Sequence, residues 1–252
     1  MTIFQIFKNL IKPFYKRGLG RFRPLAVMFN GLFNAVKPKG VVTLRVQEWK
    51  MAVDMSDTSL SQALAIAGVW EPGVTALLRR IVKPGMVVID VGANIGYFTI
   101  LCSRLVGLGG KVYAFEPESK NFNALCNNLT LNQCSNVVVT QKAVSDTEGP
   151  AYLLLHPTGW GAHKLSSLCS PISALIETIT LDNFMADSDR VDIAKIDVEG
   201  AELKVLRGMP NIIMRNPAIK IILEFWPEGV TNMGDLPQDL WGICQEQSFT
   251  IF

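Results

Sequence analysis

Four acidic residues stand directly after apolar segments in this chain of 252 residues. Each follows a run of mainly β-branched, aromatic or other apolar residues, which is typical of a buried strand. They are Asp90, Glu116, Asp197 and Glu224. In an open parallel sheet, ligands bind beyond the carboxyl ends of the strands, so we expect the four side chains to converge on one crevice. There they could accept hydrogen bonds from a ligand or take up a proton, although each alone could be an ordinary strand terminator.

A glycine-rich turn follows the first of these strands. The segment V-V-I-D-V-G-A-N-I-G runs from Val87 to Gly96 and reads as strand, tight turn and helix start. Gly92 and Gly96 permit a close ligand approach, and the N–H groups that open the helix point back into the turn. Such turns hold nucleotide-like ligands, but a packing turn without a ligand explains this motif equally well when it is considered alone.

The residues around the turn indicate which nucleotide it would hold. Glu116 ends the second strand, where a carboxylate can accept hydrogen bonds from both ribose hydroxyls. The dinucleotide pattern G-x-G-x-x-G has Asn94 in place of its middle glycine, Thr99 follows, and no G-K-S/T motif is present. We therefore predict a ligand without phosphates, namely S-adenosylmethionine, which has a ribose, an adenine and a zwitterionic tail. An NAD-dependent oxidoreductase is a rival that Asn94 disfavours.

The elements that would position these residues alternate between strands and helices. This order predicts an α/β fold with a doubly wound, mostly parallel sheet. The predicted core strands end at residues 90, 116, 143, 197 and 225. Helices are predicted at 60–67, 73–82, from 97 after the glycine turn, and at 118–131, 199–206 and 236–247. We also predict a hairpin or β-flap at 41–53, an edge strand at 152–155, a short strand at 176–181 and the start of a strand at 249–252.

The front of the chain is basic and the rest is acidic. Residues 1–47 hold nine Lys or Arg and no Asp or Glu, which leaves 15 basic and 22 acidic residues elsewhere, a net charge of −7. Apolar side chains recur at helical spacing in the first segment, with polar and basic ones opposite, and Pro13 should end or kink this helix. The apolar positions are Ile3, Phe7, Leu10, Ile11 and Phe14, and the opposite positions are Gln5, Lys8, Lys12 and Lys16.

This basic helix has two interpretations. It could lie on an anionic membrane surface, or it could pack on the domain or on a partner subunit and expose its lysines. The uncharged interval 24–36 is too short to span a bilayer, which takes about 20 apolar residues, and we predict no secretory signal. We expect a cytoplasmic protein, with peripheral membrane contact as the alternative. We divide the chain into a basic extension, 1–40, and a domain, 41–252, with flap and helices at 41–84 and the core sheet from 85.

Two segments outside the turn could also reach a ligand. The loop 68–72 should lie above the turn, where Glu71 could contact the ligand or serve only as an acid at a helix start. The polar loop within 148–173 stands where a substrate lid or wall is expected, and it contains His163. The five cysteines show no C-x-x-C pair, so we interpret them as free thiols in a reducing compartment.

Four ordered motifs resemble one known family. D-V-G-A-N-I-G-Y-F-T, V-Y-A-F-E-P, K-A-V-S-D and K-I-D-V-E-G-A-E are similar to those of the FkbM family of S-adenosylmethionine-dependent methyltransferases, mostly O-methyltransferases. The resemblance extends over about 51–225 and implies the Rossmann-like class I methyltransferase fold. That superfamily usually closes its sheet with a further antiparallel strand, so the resemblance leaves the completeness of the sheet open. Residues 1–40 match nothing that can be transferred.

The resemblance also implies roles for individual residues. The cofactor loop would contain Asp90, Gly92, Ala93, Asn94, Gly96 and Thr99; Glu116 with Pro117 would hold the ribose; and Ala143 with Val144 would border the adenine. Asp197 and Glu199 match the fourth-strand motif beside the acceptor site. A general base would contribute roughly 10²-fold or more in rate. As candidates for this base we consider Asp197 first and then Glu199. His163 is a further candidate that could instead be a surface residue.

The remaining expectations concern partners. We predict a small hydroxylated acceptor and no nucleic acid, and we leave the acceptor's identity and the oligomeric state open. Asp197, Glu199 and Glu224 offer the oxygen ligands that hard divalent cations prefer, but this ligand set is not tight enough to predict a metal site. A non-catalytic methyltransferase-fold module that binds a partner or a membrane through the basic front is the second rival hypothesis.

Overall fold

The computed structural model describes residues 3–16, 23–57, 60–156, 161, 163–166, 169–185, 190–247 and 249–251, and for 12–16 and 23–26 it describes the backbone only. The helices are α1 Ile3–Lys16, α2 Arg23–Val36, α3 Leu60–Ile66, α4 Pro72–Ile81, α5 Tyr97–Val106, α6 Ser119–Leu131, α7 Leu181–Phe184, α8 Glu202–Arg207, α9 Pro210–Arg215, α10 Pro227–Asn232 and α11 Pro237–Glu246. The strands are β1 Val41–Val46, β2 Trp49–Asp54, β3 Val87–Val91, β4 Lys111–Phe115, β5 Val137–Thr140, β6 Ala143–Val144, β7 Gly149–Leu154, β8 Lys164–Ser166, β9 Ser173–Ile179, β10 Ile193–Ile196 and β11 Lys220–Leu223.

Five parallel strands form the central sheet in the order β11-β10-β3-β4-β5. From the middle strand β3 the chain moves outward through β4 and β5, and then returns to place β10 on the other side of β3. The direction of winding therefore reverses between β3 and β10, which is where an open α/β sheet binds its ligand. The predicted α/β fold with a doubly wound, mostly parallel sheet is confirmed.

Both faces of this sheet are buried, since successive side chains of a strand point to opposite faces. Val88 packs in a core cluster with Leu101 of α5 and Leu125 of α6. Its neighbour Ile89 packs on the other face in a cluster with Leu206 of α8. Burial on both faces explains why the strands read as continuous apolar runs in the sequence.

A second sheet of four strands, in the order β6-β9-β7-β8, lies beyond β5 in the chain and corrects two predictions. The strand predicted up to residue 143 is split, because β5 ends at Thr140 and β6 pairs with β9 in the second sheet. The strand predicted at 152–155 is present as part of β7, but its predicted position at an edge is wrong, since β7 has β9 on one side and β8 on the other. The outer strand β8 has only three residues, too few to produce a recognisable alternation.

The first elements of the chain form a helical pair and a hairpin, and α3 and α4 follow them before the central sheet. β1 and β2 pair antiparallel, as predicted for 41–53. Pro13 was predicted to end or kink the first helix; it does not end it, because α1 continues to Lys16. A proline removes one N–H donor from a helix, and the hydrogen bonds of the other residues are enough to continue it.

The remaining differences are at the ends of elements. The predicted start of a strand at 249–252 is wrong for the described residues 249–251, which form no strand. The N–H of Phe249 donates instead to the carbonyl of Cys244 in α11 (2.8 Å), and its ring packs against the core. The aromatic side chain that suggested a strand is therefore partly buried by the turn that ends a helix.

Candidate functional site

An open cleft lies at the carboxyl ends of β3, β4 and β10, at the reversal point of the sheet. Its empty space is about 560 Å³ including the solvent at its mouth. The second sheet forms the opposite wall. The cleft is lined by Val91, Gly92, Asn94, Phe115, Glu116, Pro117, Asn121, Lys142, Ala143, Val144, Leu153, Gly161, His163, Leu165, Asp197, Val198 and Glu199.

The glycine turn is packed tightly beneath this cleft. Gly92 has a φ of 79°, and a Cβ at this position would lie 1.9 Å from the backbone oxygen of Asp197. The N–H groups of Gly92 and Ala93 both donate to the carbonyl of Phe115, at 3.1 and 3.0 Å. Glycine is thus required by the approach of the neighbouring strand end, in addition to any ligand.

Asn94 connects the turn to the acid on the second strand. Its φ of 50° is in the left-handed region, which asparagine tolerates better than most residues. Its N–H donates to Oε2 of Glu116 at 2.9 Å, and its own Oδ1 accepts from the N–H of Ile95 at 2.7 Å. The residue that replaces the middle glycine therefore adopts a glycine-like conformation and also orients a carboxylate.

Glu116 is the carboxylate that Asn94 orients. Its Oε1 accepts from the N–H of Glu118 at 2.9 Å, so two backbone donors hold it at the cleft wall. Burial raises the pKa of Glu116 to about 7, although these N–H donors act in the opposite direction. The group therefore titrates near neutral pH in the free protein and becomes a stronger acceptor once it is ionised.

A buried lysine connects two of the strand-end acids. Nζ of Lys195 lies 2.9 Å from Oδ2 of Asp197 and 3.8 Å from Oδ1 of Asp90, and 4.8 Å from the ring centre of Phe98. Thr99 donates from Oγ1 to Oδ2 of Asp90 at 2.6 Å. Asp90 and Thr99 are fully enclosed behind the cleft, so they support the residues that line it.

The lysine determines the charge of these groups. Burial alone would raise the pKa of Asp197, but the charge and hydrogen bond of Lys195 lower it overall. Burial alone would lower the pKa of Lys195, and the charges of Asp197 and Asp90 raise it. The pKa of Asp90 is raised because its complete burial outweighs the attraction of Lys195. Lys195 and Asp197 therefore form an ionised pair at neutral pH.

The pKa values of the acids beside Asp197 are raised, whereas the pKa of Asp197 itself is lowered. Burial and the charge of Asp197 raise the pKa of Glu199 to about 7, and the same two causes with a hydrogen bond to Asp197 raise that of Glu224 to about 8. Burial and Asp197 also raise the pKa of Glu71, which does not line the cleft. Asp197 therefore carries the negative charge that keeps its acidic neighbours partly protonated.

Two residues of the cleft wall, Asn94 and Glu199, have a strained backbone. Five non-glycine residues in the described part of the chain have a positive φ. Three of them are predicted site residues, Glu71 at 38°, Asn94 at 50° and Glu199 at 55°. Such conformations cost about 1–3 kcal/mol each and are found most often at functional sites.

His163 lies in the wall formed by the polar loop. Its Nδ1 accepts the N–H of His156 at 3.0 Å, so the neutral ring carries its proton on Nε2. Burial lowers the pKa of His163 and keeps it neutral at pH 7. The ring can donate a hydrogen bond from Nε2, but it has no free nitrogen with which to accept a proton.

Comparison with known proteins identifies the family of this fold and site. The family model described as the Methyltransferase FkbM domain matches residues 90–250, more than half of the chain. The chain belongs to the FkbM methyltransferase family. The family resemblance seen in the sequence is thereby confirmed, and S-adenosylmethionine is the cofactor of this domain.

Curated relatives of the FkbM domain include enzymes named for different acceptors. The hexuronic acid methyltransferase AglP of Haloferax volcanii is 32% identical over 146 residues, 57% of this chain and 58% of that protein. The 31-O-demethyl-FK506 methyltransferase FkbM of Streptomyces tacrolimicus is 32% identical over 161 residues, 51% of this chain and 61% of that protein. The chain covers less than two thirds of the length of either relative.

The predicted site residues of this FkbM domain divide into two groups. Those in the cleft wall are Gly92, Asn94, Glu116, Pro117, Ala143, Val144, Asp197, Glu199 and His163. Those outside the wall are Glu71, Asp90, Ala93, Gly96 and Thr99; Gly96 is buried at the start of α5, and Ala93 is buried in the turn. Among the described residues, no group of three His, Cys, Asp or Glu side chains is arranged to hold a metal ion.

Sequence reasoning missed the central lysine and part of the second wall. Lys195 stands in β10 two positions before Asp197, which directly follows the strand, and this spacing of two in extended chain could have indicated the pair. Leu153 and Leu165 line the cleft from the second sheet, whose order was not predicted.

Proposed function

We propose that this protein transfers the methyl group of S-adenosylmethionine to a hydroxyl oxygen of a small-molecule acceptor. The observation that carries the proposal is the position of Glu116 and Glu199 in the wall of one cleft, at the ends of β4 and β10. The first is an acceptor for ribose hydroxyls, and the second is a carboxylate with a pKa near neutrality. One site would thus hold the donor and take up the proton that the acceptor loses.

The residues of the cleft fit the cofactor. Glu116, held by backbone donors, would accept hydrogen bonds from both ribose hydroxyls, and Pro117 follows it in the wall. Val144 and Leu153 provide an apolar surface beside it, suited to the adenine ring. When bound, S-adenosylmethionine supplies a methyl group on a sulfonium that is already an activated leaving group.

Glu199 is the base that the electrostatics favour. Asp197 was the first candidate from the sequence, but Lys195 holds it in a strong ion pair and lowers its pKa, which makes it a weak base. A general base works best when its pKa is near the operating pH, and the pKa of Glu199 is about 7. As the C–O bond forms and the C–S bond breaks, Glu199 would take the hydroxyl proton, and Asp197 and Lys195 would fix its surroundings.

The acceptor class rests on two supports. Two of the curated relatives are named for a hexuronic acid and for 31-O-demethyl-FK506, and the second name specifies an oxygen. His163 offers an Nε2–H donor in the cleft wall, which could bind an acceptor oxygen. From these two supports we infer a small hydroxylated acceptor.

Calorimetric titration with S-adenosylmethionine, in parallel with NAD, tests the cofactor site. We expect binding of the first and none of the second, and a loss of affinity in Glu116→Gln but not in the matched variant Glu246→Gln on the exposed end of α11. Binding of NAD alone would support the oxidoreductase, and binding of neither would support the non-catalytic module.

Release of S-adenosylhomocysteine in a screen of hydroxylated compounds tests the reaction. With an active acceptor, Glu199→Gln should retain cofactor binding and lose turnover. Methyl transfer to nitrogen or carbon acceptors only would contradict the proposed chemistry while leaving the cofactor site intact.

A further inference from the structure

The helical pair before the sheet exposes apolar side chains on both helices. Ile3, Ile6 and Leu10 follow one stripe of α1 and are 74%, 43% and 66% exposed. On α2, Met28 and Leu32 lie one turn apart, and Val27 adjoins them; all three are exposed. The single apolar face predicted for α1 is therefore divided, because Ile3 and Leu10 point away from the body.

The opposite sides of both helices attach the pair to the body. Phe4 packs against Phe33 with ring centres 6.0 Å apart, and Phe7 stacks on Phe29 at 5.9 Å. Met55, after the hairpin, joins the same cluster. The pair is thus held in place by its inward aromatic residues, and the exposed stripes take no part in this packing.

The charge of this segment indicates what would cover the stripes. Residues 1–47 carry nine Lys or Arg and no acidic residue, whereas the rest of the chain has a net charge of −7. A second copy docked on the same face would bring two such basic segments together, and like charges would repel. An anionic bilayer offers negative headgroups to the basic residues and an acyl boundary to the apolar ones.

We propose that α1 and α2 dock the protein on the surface of an anionic membrane. The helices would lie in the plane of the interface, with Ile3, Ile6 and Leu10 of α1 and Met28 and Leu32 of α2 entering the boundary between headgroups and acyl chains. No helix among the described ranges is long and apolar enough to cross a bilayer. Contact through helices that lie on the surface needs no such span.

Sedimentation of the full chain with vesicles tests the proposal. We expect binding to vesicles of phosphatidylcholine mixed with phosphatidylserine, weaker binding as salt is added, and little binding to phosphatidylcholine alone. The double variant Ile6→Asp, Leu32→Asp should lose about tenfold or more in affinity. The control Leu108→Asp changes a residue that is 90% exposed in the loop after α5, and it should bind like the parent.

Three results would overturn the proposal. The first is equal binding of the double variant and the parent to the vesicles, and the second is equal binding of the parent to both kinds of vesicle. The third is a parent protein that binds no vesicles and is a dimer by light scattering, while the double variant is a monomer. Circular dichroism and S-adenosylmethionine titration establish that each variant is folded. If the double variant fails to fold, Leu10→Gln against Leu108→Gln repeats the comparison without adding charge.

Discussion

Lys195 of β10 stands directly opposite Asp90 of β3 in the parallel register, and its Nζ lies 2.9 Å from Oδ2 of Asp197. One buried cation therefore joins the two strands on either side of the reversal point. The pair keeps Asp197 ionised, and the charge of Asp197 contributes to the raised pKa values of Glu199 and Glu224. The protonation states of the cleft thus depend on a lysine that does not line it.

Replacing Lys195 should destabilise the fold because it removes the positive charge that two acids share. Lys195→Met keeps most of the side-chain volume and leaves Asp90 and Asp197 without their cation. Removal of one partner from a buried pair costs about 3–5 kcal/mol, and since Asp197 is partly solvated we expect a loss of about 2–4 kcal/mol in the free energy of unfolding by urea at pH 7. The loss should shrink at acid pH as the acids become protonated. A loss that does not change with pH would mean that packing, rather than charge, is responsible.

The affinity for S-adenosylmethionine should depend on pH through Glu116. Its pKa of about 7 means that the carboxyl group is increasingly protonated as the pH falls below neutrality. Hydrogen bonds to a charged acceptor are the stronger ones, so affinity measured by calorimetry should fall from pH 8 to pH 6. In Glu116→Gln we expect about 10- to 100-fold weaker binding and no such pH dependence. If Glu116→Gln keeps the pH dependence of the parent, Glu116 is not the source of that dependence.

The turn offers a matched pair of glycine substitutions. Gly92→Ala adds a Cβ 1.9 Å from the Asp197 oxygen at a positive φ, so we expect a loss of more than about 2 kcal/mol in unfolding free energy. Gly109→Ala adds the same atom where nothing lies within 4 Å, and its effect should stay within about 0.5 kcal/mol. Equal effects in thermal or urea unfolding would contradict the packing that we describe between the turn and β10.

Turnover should rise with pH through Glu199. A base with a pKa of about 7 is mostly protonated below pH 6 and mostly ionised above pH 8, so kcat should increase across this range. Glu199→Gln should lower kcat by about 10²-fold or more and abolish the increase, with cofactor affinity retained. If Asp197→Asn removes the pH dependence and Glu199→Gln does not, the base is Asp197.

The stability of the protein without its cofactor should decrease as the pH rises from about 5 to 8. Glu116, Glu199 and Glu224 have folded-state pKa values raised to about 7, 7 and 8, so the folded protein binds more protons than the unfolded chain in this interval. Stability falls with pH wherever the native state binds more protons. Urea midpoints in Glu224→Gln should show a shallower decrease than in the parent. A midpoint that rises with pH would show that other groups dominate.

The sequence was most informative where a signal is local. The apolar runs of β3 and β10, and the acids directly after them, predicted the parallel sheet and the cleft at its edge. The glycine turn with Asn94 and the second-strand Glu116 predicted the cofactor, because each motif lies within a few residues of chain. The ends of the elements and the second sheet were less well predicted, since β8 has only three residues and β6 pairs with β9, where Ala143 stands opposite the sequence-distant Thr178.

The sequence by itself determined the fold class, the family and the strand-end acids of this protein, because strand periodicity and motif spacing are properties of the chain alone. Only the tertiary structure decided how the acids behave. The pKa of Glu199, the ion pair of Lys195 and the proton position on His163 depend on distances and burial between separate segments. Coulomb energy and desolvation vary with those distances, and a linear sequence does not contain them.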